Sequence, residues 1–233
     1  MPEIDPAALE ALRAWDTPTI CNALEAIVPH RRATGFTVEY LHCLDPALPP
    51  IVGYARTATI RAAEPSALPP DAVKAQRAAY YEYVATPPGL TVVVIQDLDP
   101  DPGFGAFWGE VNTAVHKGLG ALGCVTNGSM RDLGDCAPGF QLLAGKVGPS
   151  HAHVHVVDFG GQVNVAGMTV SDGDIVHADR HGAVVVPREA VAKIPVAVDL
   201  LTRREAVILA AARAGGFDID ALKRAMADSA EIH

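Results

Sequence analysis

The chain has 233 residues, 49% hydrophobic and 19% charged, with a net charge of −9 at neutral pH. That is enough apolar chain to bury one core, a single domain over 1–233, and the acidic balance with scattered Lys and Arg excludes a nucleic-acid-binding face. No apolar run approaches a membrane span, and the acidic opening MPEIDPAALEALRAW has no apolar signal core, so a soluble cytoplasmic protein without a membrane partner is expected.

In chain order, apolar periodicity predicts helices near Pro6–Trp15 and Thr19–Ile27, the second entered through Thr17-Pro18 as a capped start. A Pro-bearing link leads to a strand over Val52–Ala62, and EPSALPPD (Glu64–Asp71) reads as a loop. AVKAQRAAYYEYVA reads as a helix packed on the strand TVVVIQDL. After the Gly-rich approach FGAFWGE comes a helix from about Val111 to Lys117, a Gly118/Gly120 stop, and a buried strand from about Leu122 to Thr126. From Phe140 to Val186 short strands alternate with Gly-rich turns: QLLAGKV, HVHVVDF, QVNVAG, MTV, DIVHAD and AVVVP. A helical C-terminal extension follows, from about Arg188 to Ala214 and from Asp218 to Asp228. Helices alternating with strands first, and strands dominating later, make an α/β protein with a mixed sheet system. Cys21, Cys43, Cys124 and Cys136 show no C-x-x-C spacing and read as reduced thiols.

The chemistry-bearing stretch is Trp108-Gly109-Glu110, followed twenty-one residues after Glu110 by Arg131-Asp132 and then by Asp135. A helix rises about 1.5 Å per residue and a strand about 3.3 Å, so the strand between them carries the chain back past the helix start and lets Glu110 meet Arg131-Asp132. Taken singly, a Glu in a first helical turn serves the macrodipole, and an Arg-Asp pair after a strand is a solvated turn. Converging at a helix N-terminus, two or three carboxylates and a guanidinium suit a hard divalent cation and an anionic substrate. The glycines of FGAFWGE suggest a backbone that must come close to something.

His151, His153 and His155 alternate, as they would on one face of a strand. Successive same-face positions lie about 7 Å apart, too far for three imidazoles to close on one ion at about 2.1 Å, so a polar sheet face or a subunit contact is expected. His177 and His181, in the turn HADRHG, read as local hydrogen-bonding residues.

The run GAFWGE…TNGSMRDLGD resembles the RraA-like family, whose catalytic members are divalent-metal-dependent (class II) pyruvate aldolases such as 4-hydroxy-4-methyl-2-oxoglutarate aldolase. The family's acid, Arg-Asp pair and following acid are matched by Glu110, Arg131, Asp132 and Asp135. The resemblance extends to DTPTICNALE, VGYARTATIRA and VAGMTVSDGDIVHADRHGAVVVP, about residues 15–210. It implies a swivelling-domain-like αββα sandwich around a central mixed β core, assembled as a homotrimer or homohexamer. The family's usual HADRHG turn is richer in Asp than in His, which makes a pocket bordered by these histidines the first place to look for substrate specificity.

The activity implied is cleavage of a 4-hydroxy-2-oxo acid to pyruvate and a carbonyl product, with oxaloacetate decarboxylation through the same enolate. A Lewis acid on the keto oxygen is the main requirement. Asp132 is assigned as the direct ligand of Mg2+ or Mn2+, with Glu110 and Asp135 acting through waters or shaping the site. Arg131 is assigned to the keto oxygen and carboxylate, and backbone N–H groups of Gly105, Ala106, Phe107 and Trp108 to the substrate carboxylate. Glu205 is the candidate acid supplied by a neighbouring subunit, with an exposed Glu pairing with Arg203, Arg204 or solvent as the plain alternative. Known aldolases carry an Asn on the helix before the central strand; here Gln76, Tyr80, Tyr81 and Tyr83 are the stand-ins. Lys117 has no apolar setting for a Schiff base, which disfavours a class I aldolase. The rival readings are a non-catalytic regulator, since the family's namesake inhibits a ribonuclease as a protein partner, and another enolate-forming decarboxylase or hydratase.

Overall fold

The computed structural model describes residues 4–86 and 89–233. Asp5 and Asp16 each turn a carboxylate onto a first helical turn, accepting from Ala7 and Thr19 N–H at 2.9 Å, and so start α1 (Pro6–Ala11) and α2 (Thr17–Ile27). The helix expected over Pro6–Trp15 is therefore α1 followed by a 3-10 turn at Leu12–Ala14, and the next begins at Thr17 because Asp16 is its cap. Then come β1 (His42–Cys43), β2 (Ile51–Arg61), α3 (Pro70–Val84), β3 (Thr91–Asp97), β4 (Ala106–Trp108), α4 (Glu110–Gly118) and β5 (Ala121–Met130). The second half holds β6 (Gln141–Val147), β7 (His155–Phe159), β8 (Val163–Val165), β9 (Met168–Val170), β10 (Ile175–Asp179), β11 (Gly182–Val186), α5 (Ile194–Arg213) and α6 (Ile219–Ala230).

Among the described residues, nine strands form one sheet in the order β1-β6-β5-β3-β2-β10-β11, with β4 beside β5 and β7 beside β2. Its centre, β6-β5-β3-β2, is parallel and its flanks are antiparallel. Side chains alternate along β3, so Val93 and Ile95 join the cluster holding Tyr80, Phe107 and Trp108, while Val92 and Val94 join the cluster closed by Val165, Met168 and Val170 of the β8-β9 hairpin. All four are at 0% exposure, which is why this segment reads as a continuous apolar run. Burying one such side chain is worth about 1.5–3 kcal/mol. A third cluster packs α1, α2 and α5 through Leu9, Ile20, Leu24 and Ile194 onto Ile175 and Val184. The result is the α/β layering with a mixed β core that the sequence predicts.

Two elements depart from expectation. FGAFWGE contains the short strand β4, whose Ala106 and Trp108 pair with Ser129 and Met130, and β5 runs on to Met130 past a register shift between Thr126 and Ser129. Apolar patterning stops at Asn127-Gly128, so the polar end of the strand was not legible. His151 and His153 lie before β7, which starts at His155, so the three histidines do not share a strand.

Beneath α3 and α4, Tyr80 donates to His116 Nε2 at 2.8 Å and His116 Nδ1–H donates to the Asn112 carbonyl at 2.6 Å. Burial pulls the His116 imidazole down to about 4 from 6.5, and burial lowers His177 in the same direction. A histidine kept neutral in the fold but free to protonate when unfolded contributes full stability above pH 6.5, and loses it as pH falls toward 4. Roughly 3 kcal/mol is at stake for His116. Urea midpoints should therefore drop between pH 7.5 and 5, and His116→Gln should show a smaller drop than the parent.

Candidate active site

An open cleft of about 710 Å³ lies beyond the carboxyl ends of β2, β5 and β6. This is where ligands bind in open α/β sheets. Its walls come from the start of α3, the β4–α4 junction, Arg131-Asp132, and residues 151–155.

The junction of β4, α4 and β5 is built by cross-links. Arg131 N–H donates to Trp108 O at 2.9 Å, tying the end of β5 to the end of β4. Gly109, the residue before α4, has no side chain to cap it, and Asp132 takes that place from the far strand: its Oδ2 accepts from Glu110 N–H at 3.3 Å and stands 3.3 Å from Arg131 Nε. Asp132 has a φ of 54°, a left-handed conformation tolerated by Asp more than by most residues, and its carbonyl accepts from Asp135 and Cys136 N–H at 2.9 and 3.1 Å. Strain of this kind clusters where a site needs a group in one place. An added Cβ at Gly109 would stand 2.5 Å from Asp132 Oδ2 and 3.2 Å from Arg131 Cγ. The φ of −175° at Gly109 suits any residue, so closeness to Asp132 is what requires glycine there.

The approach loop is held from behind. Asp97 Oδ2 accepts from Gly103 N–H at 2.7 Å, and Asp99 Oδ2 accepts from Ala62 and Ala63 N–H at 2.7 and 2.8 Å. Asn127 Oδ1 accepts from Asp97 N–H at 2.7 Å. Burial raises the Asp97 carboxyl above its usual range, and the N–H groups of Asp99 and Gly103 offset part of that rise.

Glu110, Arg131 and Asp132 meet in the cleft. Asp135 sits on the exposed turn after Asp132 and does not line it. Ala106 and Phe107 line the cleft, while Gly105 is packed against the His151 carbonyl and Trp108 is buried against His116 and Phe140. Ala106 N–H is taken by Ser150 O at 2.9 Å, so it is not open to a ligand. Glu205 is exposed on α5 and away from the cleft of its own chain; Arg203 pairs with Asp199 at 2.9 Å and Arg204 with the Ile232 carbonyl at 3.0 Å. The Lys117 ammonium donates to the Pro138 carbonyl on the surface.

Of the stand-ins on α3, Tyr80 is buried on His116, Gln76 donates to Val157 O and Tyr83 is bound to Asp172; Tyr81 alone of these lines the cleft. Its hydroxyl donates to Asn112 Oδ1 at 2.9 Å, and Asn112 Nδ2 donates to Phe107 O at 2.5 Å. An Asn thus reaches the cleft from α4 instead of α3. Val73, Arg77 and Tyr81, one helical turn apart, form the opposite wall, a spacing that was open to sequence reading.

His151, His153 and His155 line this cleft, and only His155 lies on a strand, so the three do not form the one polar sheet face expected of them. His177 instead is fully buried, with Nε2–H donating to Leu12 O at 3.2 Å and Nδ1 3.0 Å from Thr17 Oγ1, while Asp179 accepts from Thr17 N–H at 2.9 Å. His181 N–H donates to Asp179 at 2.8 Å. This pair locks the start of α2, the local role expected of it. Among the described residues no three His, Cys, Asp or Glu side chains are grouped to hold a metal ion.

The sequence model of the RraA-like family, Aldolase/RraA, matches residues 17–185. The chain belongs to the Aldolase/RraA family. No curated protein gives a significant sequence match. An uncharacterized protein from Pseudomonas syringae pv. tomato superposes with a TM-score of 0.73 at 20% identity, over 97% of this chain and 96% of that one. Streptomyces coelicolor RraAS2, described as an unusual member of the RNase ES inhibitor RraA protein family, gives 0.67 at 23% identity over 88% and 95% of the two chains. The RNA-processing inhibitor RraA from Thermus thermophilis gives 0.51 at 16% identity over 70% and 90%. These likenesses establish the RraA-like fold. The matched segment holds the whole β4–α4–β5 junction, while α5 and α6 lie beyond it. Among the described residues no helix is long and apolar enough to cross a membrane.

Proposed function

We propose that this member of the Aldolase/RraA family is a carbon–carbon lyase that cleaves a 4-hydroxy-2-oxo acid to pyruvate and a carbonyl product. The observation that carries the reading is Asp132, held in a left-handed conformation between Arg131 and the start of α4 at the edge of the cleft. Its carboxylate, one third exposed, is a hard oxygen donor, and Mg2+ asks for only one or two protein carboxylates while keeping waters and substrate oxygens. The donor set therefore fits Mg2+ or Mn2+, with Asp132 as the direct ligand and Glu110 beside it. Bound there, the cation would supply Lewis acidity to the 2-oxo group.

This chain's residues supply the rest. Arg131 holds the 2-oxo oxygen and carboxylate in one plane through its guanidinium fork, and the first turn of α4 adds N–H donors for the carboxylate. Tyr81 and Asn112 buttress that turn. Asp135 keeps the turn after Asp132 in shape, and Glu205 can act only on a neighbouring copy, so a trimer or hexamer is part of this proposal. Pyruvate release over a panel of 4-hydroxy-2-oxo acids and oxaloacetate tests the reading. Turnover should vanish with a chelator and return with Mg2+ or Mn2+; undiminished turnover in a verified metal-free preparation would contradict it. Ribonuclease inhibition with no pyruvate release from any substrate would favour the regulator.

A further inference from the structure

The amide of Asn112 is held in one orientation. Phe107 O can only accept, so Asn112 Nδ2 is the atom that faces it at 2.5 Å, and Oδ1 is left to face the Tyr81 hydroxyl at 2.9 Å. Oδ1 also only accepts, so the single proton of Tyr81 is committed to it. Burial raises the Tyr81 phenol above its usual range, against the lowering charge of Arg77, which keeps that proton in place. Of the two N–H bonds on Asn112 Nδ2, one goes to Phe107 O and the second has no acceptor among the described residues. Tyr81 and Asn112 both line the cleft.

The amide stands at the end of the site where Arg131 and Asp132 lie. Asn112 is in the first turn of α4 and its side chain reaches back past the helix start to Phe107, while Asp132 Oδ2 accepts from Glu110 N–H at that same start. The backbone cylinder of a helix is about 5 Å across, so the free N–H and the Asp132 carboxylate flank one helix end within the span of one small acid. Glu110 opens the same turn and lines the cleft, and its carboxylate has no partner among the described residues.

Resting on the lyase reading above, we propose that Asn112 reads the 4-hydroxyl group of the substrate, its free Nδ2–H donating to the C4 oxygen, with Tyr81 as the positioning residue that keeps the amide in that orientation. With its oxygen accepting from Asn112, the hydroxyl has its own proton left for the open carboxylate of Glu110. As the C3–C4 bond breaks, that proton passes to Glu110, the bond pair passes to C3 and the 2-oxo oxygen as the pyruvate enolate, C4 leaves as the carbonyl product, and Glu110 returns the proton to C3. Nothing is oxidised or reduced.

The test uses the full-length, metal-loaded protein and reads two rates on each preparation. One is pyruvate release from the 4-hydroxy-2-oxo acid it cleaves fastest; the other is exchange of the pyruvate methyl hydrogens in deuterium oxide, which involves no C4 oxygen. Unfolded protein cancels in their ratio. Asn112→Ala should lower the ratio of cleavage to exchange about tenfold, the loss of one hydrogen bond to the reacting oxygen. Tyr81→Phe should lower it less, and adding it to Asn112→Ala should lower it no further. Glu110→Gln removes the proton acceptor common to both reactions and should slow the two together. A ratio in Asn112→Ala within about twofold of the parent's, whether both rates hold or both fall, overturns the assignment while pyruvate release by the parent leaves the lyase reading in place. Selective loss of cleavage in Glu110→Gln alone would give the hydroxyl to Glu110 and overturn it as well. A parent that releases no pyruvate overturns both readings.

Discussion

Arg131→Lys is expected to lower pyruvate release by about a hundredfold or more, close to 3 kcal/mol of transition-state stabilisation, with little change in melting temperature. Lysine keeps the charge but not the planar fork that can hold a keto oxygen and a carboxylate together. Arg131 is about one third exposed and its ion pair with Asp132 spans adjacent residues at 3.3 Å, so its removal should disturb packing little. A steady-state assay beside a thermal melt checks both halves. Loss of activity together with a large fall in melting temperature would make Arg131 a structural residue.

Gly109→Ala is the second large effect. One added methyl group must displace either Asp132 Oδ2, 2.5 Å away, or the start of α4. Overpacking of this kind costs about 1–3 kcal/mol, and a shift of about 1 Å in a catalytic group costs on the order of a hundredfold in rate. Turnover should fall about a hundredfold, with stability lower by about 1–3 kcal/mol. In an Asp132→Gly background, where the displaced carboxylate is gone and the left-handed position is relaxed, the same substitution should lose most of its stability effect. Urea unfolding of the four proteins measures that coupling. Equal costs in both backgrounds would mean that the glycine serves something other than Asp132.

The convergence of Glu110, Arg131 and Asp132 was legible because helix rise and strand rise alone return the chain to its start. The continuous apolar run of β3 was legible for a similarly local reason, whereas Asp5 and Asp16, the caps of α1 and α2, went unread. What escaped depends on neighbours distant in sequence. β4 is only Ala106–Trp108, and its pairing with Ser129 and Met130 leaves no periodic signal. The histidine alternation imitated a strand, whereas hydrogen bonds to Ala62 and Ala106 hold residues 150–154 as a turn on the cleft wall. Tyr81 and Asn112 come from two helices, and only packing brings them within 2.9 Å.

The central claim is that this cleft stabilises a pyruvate enolate, and exchange of the pyruvate methyl hydrogens in deuterium oxide reads that step without the acceptor half of any substrate. With Mg2+ or Mn2+ supplied, the parent protein should exchange the methyl hydrogens, and Arg131→Lys should exchange them about a hundredfold more slowly. No exchange by the parent under those conditions, or equal exchange by parent and variant, would contradict the account.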